Sequence, residues 1–430
     1  MRHTRKARRH IRNTIEHKKL PYGVRVLAWM RAIRWIGWGL GEALLPVFIL
    51  SFSHTFAEAG LFSSTVDIAS LVSLPLIGAW ADRASSKRLI LISLLLYPLV
   101  GVSYFFAGAL GMAIFVVIAR IVNGVTWEFE NIGVETYYRR TVDASHVATS
   151  FGYIDMWSHF AWISASLVGM FLVVFMPIHV LLLGIAPFAL ISYVVLMRAP
   201  ADAPPQSSTR AVKRSIAKMY KRMVTSWKDW DSKLQLLAVL VFFASILEAL
   251  MYFFVPIDAY ISGSSLSLVI LLTVFGSVPS LFGYKLGRVA DAENKYALVA
   301  GGLLGVGALL AGLALVPYYW FKLVAIFLMG LILELFFVIE GSLVTTLGPA
   351  ETYGERGSVF EAIITLGDLA SPPLIGIAFD MIGFSGTTAV MAVGAVCLAG
   401  AYIFISRTRR VATPISRGGV PTEIVEELPR

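Results

Sequence analysis

One cysteine, Cys397, stands in a chain of 430 residues, which excludes an internal disulfide and any multi-cysteine metal site. Charge is scarce too. Asp, Glu, Lys and Arg supply 15% of the residues and hydrophobic types 57%, with a mean hydropathy of +0.75. A soluble domain carries about 25% charged residues, so water is excluded as the solvent for most of this chain. The polar sequence lacks the spacing of a zinc site, a nucleophile elbow or a phosphate-binding loop. Neither enzyme activity nor a cofactor nor a metal is therefore expected. The first 33 residues lack the apolar core and cleavage site of a signal peptide and read as a basic cytosolic tail.

Long apolar runs are what the sequence has in quantity. A bilayer core about 30 Å thick takes roughly 20 residues of helix per crossing. The runs are continuous, whereas a membrane β-barrel would alternate over about 10 residues. Twelve spans are predicted near 34–54, 60–81, 88–108, 112–136, 147–174, 178–197, 235–255, 264–286, 296–316, 320–346, 358–381 and 386–406. The expected fold class is an all-α polytopic membrane protein. Its domains would be a tail at 1–33, a six-helix bundle at 34–198, a linker at 199–233, a second bundle at 234–406 and a tail at 407–430.

This division sorts the basic residues. It puts 34 of the 36 Lys and Arg on one side, leaving Lys322 outside and Arg120 within the membrane. The positive-inside rule then places both termini in the cytosol, in a plasma (inner) membrane. The net charge of +9 reads as topology and attraction to anionic lipid, and its scatter along one membrane face argues against a nucleic-acid partner. In the linker, Val212, Ile216, Met219, Tyr220, Met223, Trp227 and Trp230 recur at helical spacing among basic residues, the pattern of an amphipathic helix on the cytosolic leaflet.

The halves repeat each other. An offset of 209 carries GAWAD (Gly78–Asp82) onto GRVAD (Gly287–Asp291), Asn131 onto Glu340 and His159 onto Asp368; an offset of 206 carries Glu42 onto Glu248. Parallel six-helix repeats are a transporter architecture. The fragment GAWADRASSKR resembles the loop signature of the major facilitator superfamily, Gly-x-x-x-Asp-Arg-x-Gly-Arg-Lys/Arg, and Arg120-Ile-Val-Asn-Gly124 resembles its fourth-helix Arg-x-x-Gln-Gly. Ser85 and Ser86 depart from the expected Gly and Arg, and Asn123 from Gln. The resemblance implies a twelve-helix fold of two pseudo-repeats and a cytosolic gate. In that gate Gly78 and Gly287 let helices approach closely. Asp82, with Arg83 and Glu135, would latch the start of span 11, and Asp291 would latch the start of span 5.

Ionisable groups inside a membrane usually face a cavity or one another. On span 4, Arg120, Gly124, Trp127, Asn131 and Glu135 form one stripe, flanked by Glu128 and Glu130. Span 5 stacks Asp155, His159 and Trp162, and span 11 stacks Glu361, Thr365 and Asp368. With Glu42, Glu248 and Glu340, these predict a polar cavity for substrate and protons. For Asp67, Glu130 and Glu334 a structural ion pair or hydrogen bond is the favoured reading. Burial favours the protonated form of a carboxyl group and a nearby arginine opposes it. Movement of Arg120 relative to an acidic partner could thus trade a proton for substrate. The expectation is a monomeric, proton-coupled secondary transporter exporting a small cationic or neutral amphipathic solute. Uptake of a sugar-like or zwitterionic solute, or lipid translocation, is the alternative.

Overall fold

The computed structural model describes residues 21–81, 84–142, 147–202, 232–292, 294–346 and 353–408. Among the described residues the helices form twelve segments: α1 (Tyr22–Leu50), α2 (Phe56–Ala81), α3 (Ser86–Leu110), α4 (Ala113–Thr141), α5 (Val147–Leu172), α6 (Ile178–Met197), α7 (Ser232–Ile261), α8 (266–292), α9 (Lys295–Leu315), α10 (Tyr319–Thr346), α11 (353–382) and α12 (384–408). Seven helices among the described residues are long and apolar enough to cross a membrane. Tyr353–Thr408 runs on as one helix except at Gly383, whose φ of 68° turns α11 into α12, a conformation that favours glycine. Gly111 ends α3 with the same φ. The linker helix expected in 199–233 falls mainly on residues 203–231, outside the described residues.

Lateral packing follows the repeat. α1 packs on α5 and α6 and α7 on the α11–α12 helix; α3 packs on α4 and α6 and α9 on α10 and the α11–α12 helix. The halves meet through α2 against α11 and through α5 against α8, two pairs that six-helix repetition makes equivalent. Both pairs close at the bundle face opposite Tyr22 and Thr408, the first and last helical residues described, whose side of the bundle is called the terminal face. A Cβ placed on Gly60 would fall 2.3 Å from Pro372 O, and one on Gly376 would fall 2.4 Å from Phe56 O. Ser267 of α8 donates to Met170 O of α5 at 2.9 Å. Only glycine permits such backbone contact.

One boundary differs from the sequence expectation. α1 begins at Tyr22, not near 34, and carries Arg31 and Arg34 into the bundle. Arg34 is 1% exposed. Its Nε lies 2.7 Å from Glu130 Oε2, and Arg31 Nε lies 3.5 Å from the other carboxylate oxygen. Buried charge is tolerated when paired and hydrogen-bonded, and Glu130 on α4 supplies the anion. Arg120 is thus not the only arginine among the helices.

At the terminal face, Asp202 ties the end of α6 to the start of α3. It accepts from Ser85 Oγ at 2.6 Å, Ser86 N at 2.9 Å, Ser86 Oγ at 2.5 Å and Lys87 N at 3.2 Å. Arg140 Nη1 adds a salt bridge at 3.1 Å. A carboxylate at a helix N-terminus satisfies orphan amides and opposes the positive end of the helix dipole. The two serines that depart from the family signature are therefore among the donors of this clamp.

Candidate functional site

Two of the spans that line the centre of the molecule are broken where the paired glutamates sit. In α1, Gly39-Leu40-Gly41 interrupts the helix, Glu42 opens a 3-10 turn (Glu42–Leu44), and Pro46 restarts the helix. In α7, Glu248 comes just before a π-turn (Leu250–Phe254), followed by Pro256. Glycine and proline explain the first break and proline contributes to the second; such turns free backbone groups inside a bundle and concentrate at functional sites.

Between the halves lies a cavity of about 570 Å³. Glu42, Asp67, Arg120, Asp155 and His159 line it from the first half, and Glu248, Glu334 and Asp368 from the second. Trp162 Nε1 donates to Glu42 Oε2 at 2.6 Å. Arg120 Nε donates to Ser63 O on α2 at 3.1 Å, and its Nη2 reaches the same carbonyl. His159 Nε2 lies 3.4 Å from Asp155 Oδ2, one turn earlier on α5. Tyr252 spends its hydroxyl on Gly276 O at 2.8 Å, so it presents its ring to the cavity as an anchored wall. Trp35 and Trp162 add aromatic surface.

The arrangement is acidic. Six carboxyl groups surround one guanidinium and one imidazole in the lining. Asp368 and Glu334 are electrostatic neighbours of Glu248 within the second half, and the pairs Asp67–Glu248 and His159–Glu334 cross between the halves. A cavity of this kind offers a cation both opposite charge and aromatic faces.

The family model for the Major Facilitator Superfamily matches residues 27–320. The chain belongs to the major facilitator superfamily. Membership points to a transporter rather than an enzyme. Solved structures agree on the fold of this superfamily member. The nucleoside transporter NupG matches with a TM-score of 0.70 at 16% identity, over 90% of this chain and 100% of that one. A bacterial homologue of the human lysosomal transporter Spinster, inward-facing and unoccupied, gives 0.70 at 15% identity, over 91% and 98%. A D-xylose–proton symporter gives 0.68 at 15%, over 88% and 97%. A search of curated proteins by sequence finds no match.

Of the residues singled out from sequence, Glu42, Arg120, Asp155, His159, Glu248 and Asp368 line the cavity of this superfamily member. Asn131 does not; it accepts from Arg31 Nη2 at 3.1 Å within its own half. Glu340, its repeat partner, is half-buried on α10 and also lies off the lining. Glu361 is on α11, with its side chain outside the described residues. Asp67 and Glu334, for which a structural role was favoured, both line the cavity. Neither acid has a second ionisable group on its own helical stripe, so no periodic signal places them there. Glu128 and Glu130 take separate paths: Glu128 accepts from Ser70 on α2, and Glu130 holds the two arginines of α1.

Asp82 and Arg83 lie outside the described residues, as does the side chain of Asp291, while Glu135 is exposed on α4. Among the described residues, a Cβ on Gly78 would meet nothing within 4 Å. Gly287 has only ordinary contact, with Val338 Cγ1 at 3.8 Å. Both glycines sit towards the terminal face, whereas the tight glycine contacts between the halves are at the opposite one.

Proposed function

We propose that the chain is a proton-coupled secondary transporter for a cationic or neutral amphipathic organic solute, working by alternating access with both termini in the cytosol of a plasma (inner) membrane. The observation that carries this reading is the central cavity, where six carboxyl groups drawn from both halves surround a single arginine. A solute bearing positive charge gains Coulomb attraction there, and the aromatic walls favour it further. A multiply charged anion would meet repulsion. Export is the proposed direction.

Coupling follows from competition. Protonating a cavity acid removes an electrostatic partner of the solute, and binding the solute displaces the proton. Arg120, fixed on the α2 backbone at Ser63, is placed to neutralise Asp67 or Glu42 in one state and release it in another. The open space at Gly78 and the backbone contacts at Gly60 and Gly376 support reading this conformation as open to the cytosol and shut outside. In the opposite state, Asp82, Arg83, Glu135 and Asp291, with Gly78 and Gly287, would close the cytosolic side.

A solute panel in proteoliposomes, with and without a pH gradient, tests the proposal. Gradient-driven movement of organic cations, weak for dianions, is expected. Transport indifferent to both solute charge and pH would contradict it.

A further inference from the structure

At the face opposite the termini, the start of α2 leaves two donors for the other half. Thr55 caps α2: its Oγ1 accepts from Glu58 N at 3.1 Å, and Glu58 Oε2 accepts from the preceding His54 N at 2.6 Å. Ala59 N makes the first turn bond, to Thr55 O at 3.1 Å. The first two helical amides, Phe56 and Ala57, have no acceptor inside the helix. Asp380, near the end of α11, takes both: Oδ1 accepts from Phe56 N at 3.0 Å and Oδ2 from Ala57 N at 2.9 Å. A charged acceptor on the positive end of a helix makes a strong bond. Phe379, beside it, packs its ring on Phe56 at 5.0 Å and on Phe254 at 5.2 Å.

We infer that Asp380 is the latch of the outer gate, bonding the N-terminus of α2 while that face is shut and releasing it when the transporter opens there. The inference rests on the alternating-access reading above. The geometry suits a reversible closure. Asp380 is exposed, so water can replace the amides when the contact breaks, and the bonds cross from one half to the other. The buried Gly60–Pro372 and Gly376–Phe56 contacts give shape but little register; two directed bonds to one carboxylate fix it. The arrangement is also reciprocal to that implied for Asp82. There the end of α2 would hold the start of α11, and here the end of α11 holds the start of α2. A rocking motion that makes one contact must break the other.

The test uses the full chain with Cys397→Ala and a reporter, Ile49→Cys, since Ile49 lines the cavity and is fully buried in this state. The protein is placed in sided proteoliposomes, and a membrane-impermeant maleimide is added only on the face opposite the termini. Asp380→Ala is expected to raise the labelling rate about fivefold, the factor set by loss of one charged helix cap. Asp380→Asn, which retains an acceptor oxygen and serves if the alanine variant misfolds, is expected to raise it less. Asp82→Asn is expected to lower it. Labelling of both Asp380 variants at the wild-type rate, with transport intact, overturns the latch. A labelling shift in a protein that moves no solute of the panel supports the latch and overturns the transport reading instead.

Discussion

Changing Glu130 to glutamine removes the anion that holds two arginines inside the first bundle, and the structure sets the size of the effect. Glu130 is 0% exposed and Arg34 is 1% exposed, with 2.7 Å between Oε2 and Nε. Arg34 also lies 4.4 Å from the ring centroid of Trp35 and 5.2 Å from that of Tyr97. Those faces offer a cation up to about 2 kcal/mol when desolvated, too little to replace a carboxylate. Removing one member of a buried pair costs about 3–5 kcal/mol. Glutamine keeps the volume and one acceptor oxygen, so the lower end, about 3 kcal/mol, is expected. At roughly 2–4 °C per kcal/mol for a domain of this size, the melting temperature in detergent should fall by about 6–12 °C. Replacing all three partners, Arg31→Met and Arg34→Met with Glu130→Leu, should recover most of the loss, because apolar residues of similar volume avoid the desolvation cost and no cation is left unpaired. A Glu130→Gln protein melting within about 2 °C of wild type, or a triple variant worse than the single one, refutes the argument.

Other outcomes follow from the same contacts. Gly124→Ala puts a Cβ 2.1 Å from Val66 O, a backbone atom that cannot step aside, and is expected to lower the melting temperature sharply. Gly78→Ala meets open space and is expected to melt like wild type while slowing closure of the terminal face, read by cysteine labelling. Burial alone would raise the Asp202 carboxyl, but Ser85, Ser86 and the Lys87 amide hold it well below the usual carboxylate range. A depressed folded value means stability present above the unfolded value of about 3.9 and lost as pH falls below it. Asp202→Ala should therefore cost about 2–3 kcal/mol near neutrality, with the gap to wild type shrinking in acid. A gap unchanged across an acid titration of melting temperatures counts against this. Glu248→Gln, which neutralises a cavity acid, is expected to keep solute exchange but lose its drive by a pH gradient, measured as the ratio of fluxes with and without the gradient.

Much of the fold could be read from the chain because two independent signals agree. Apolar runs of bilayer length mark the spans, and the basic residues fall between them on one side. The start of α1 escaped because Arg31 and Arg34 look like topology charges. Their burial depends on Glu130, 96 residues later than Arg34, and no local pattern links them. The cavity was partly legible through the repeat: Glu42 with Glu248, and His159 with Asp368, lie at shared offsets and line it together. The same logic misplaced Asn131 and Glu340, since a repeat conserves position in a bundle but not the neighbour a side chain finds. Asp67 and Glu334 escaped because no second ionisable residue shares their stripe: Asp67 has only Ser63, Ser64 and Ser70 beside it, and Glu334 only apolar residues and glycine. Gly78 shows a further boundary. A motif describes contacts over a whole transport cycle, while one conformation holds only some of them.

The most direct test of the central claim is proton movement accompanying the solute. Purified protein is reconstituted with a trapped pH-sensitive dye, and an organic cation is applied as a gradient without an imposed pH difference. The predicted result is a change in lumenal pH that rises with solute flux, is absent in protein-free liposomes, and is lost in Arg120→Ala while that variant still reaches the membrane. Solute flux through the wild-type protein with no accompanying change in pH would contradict the account.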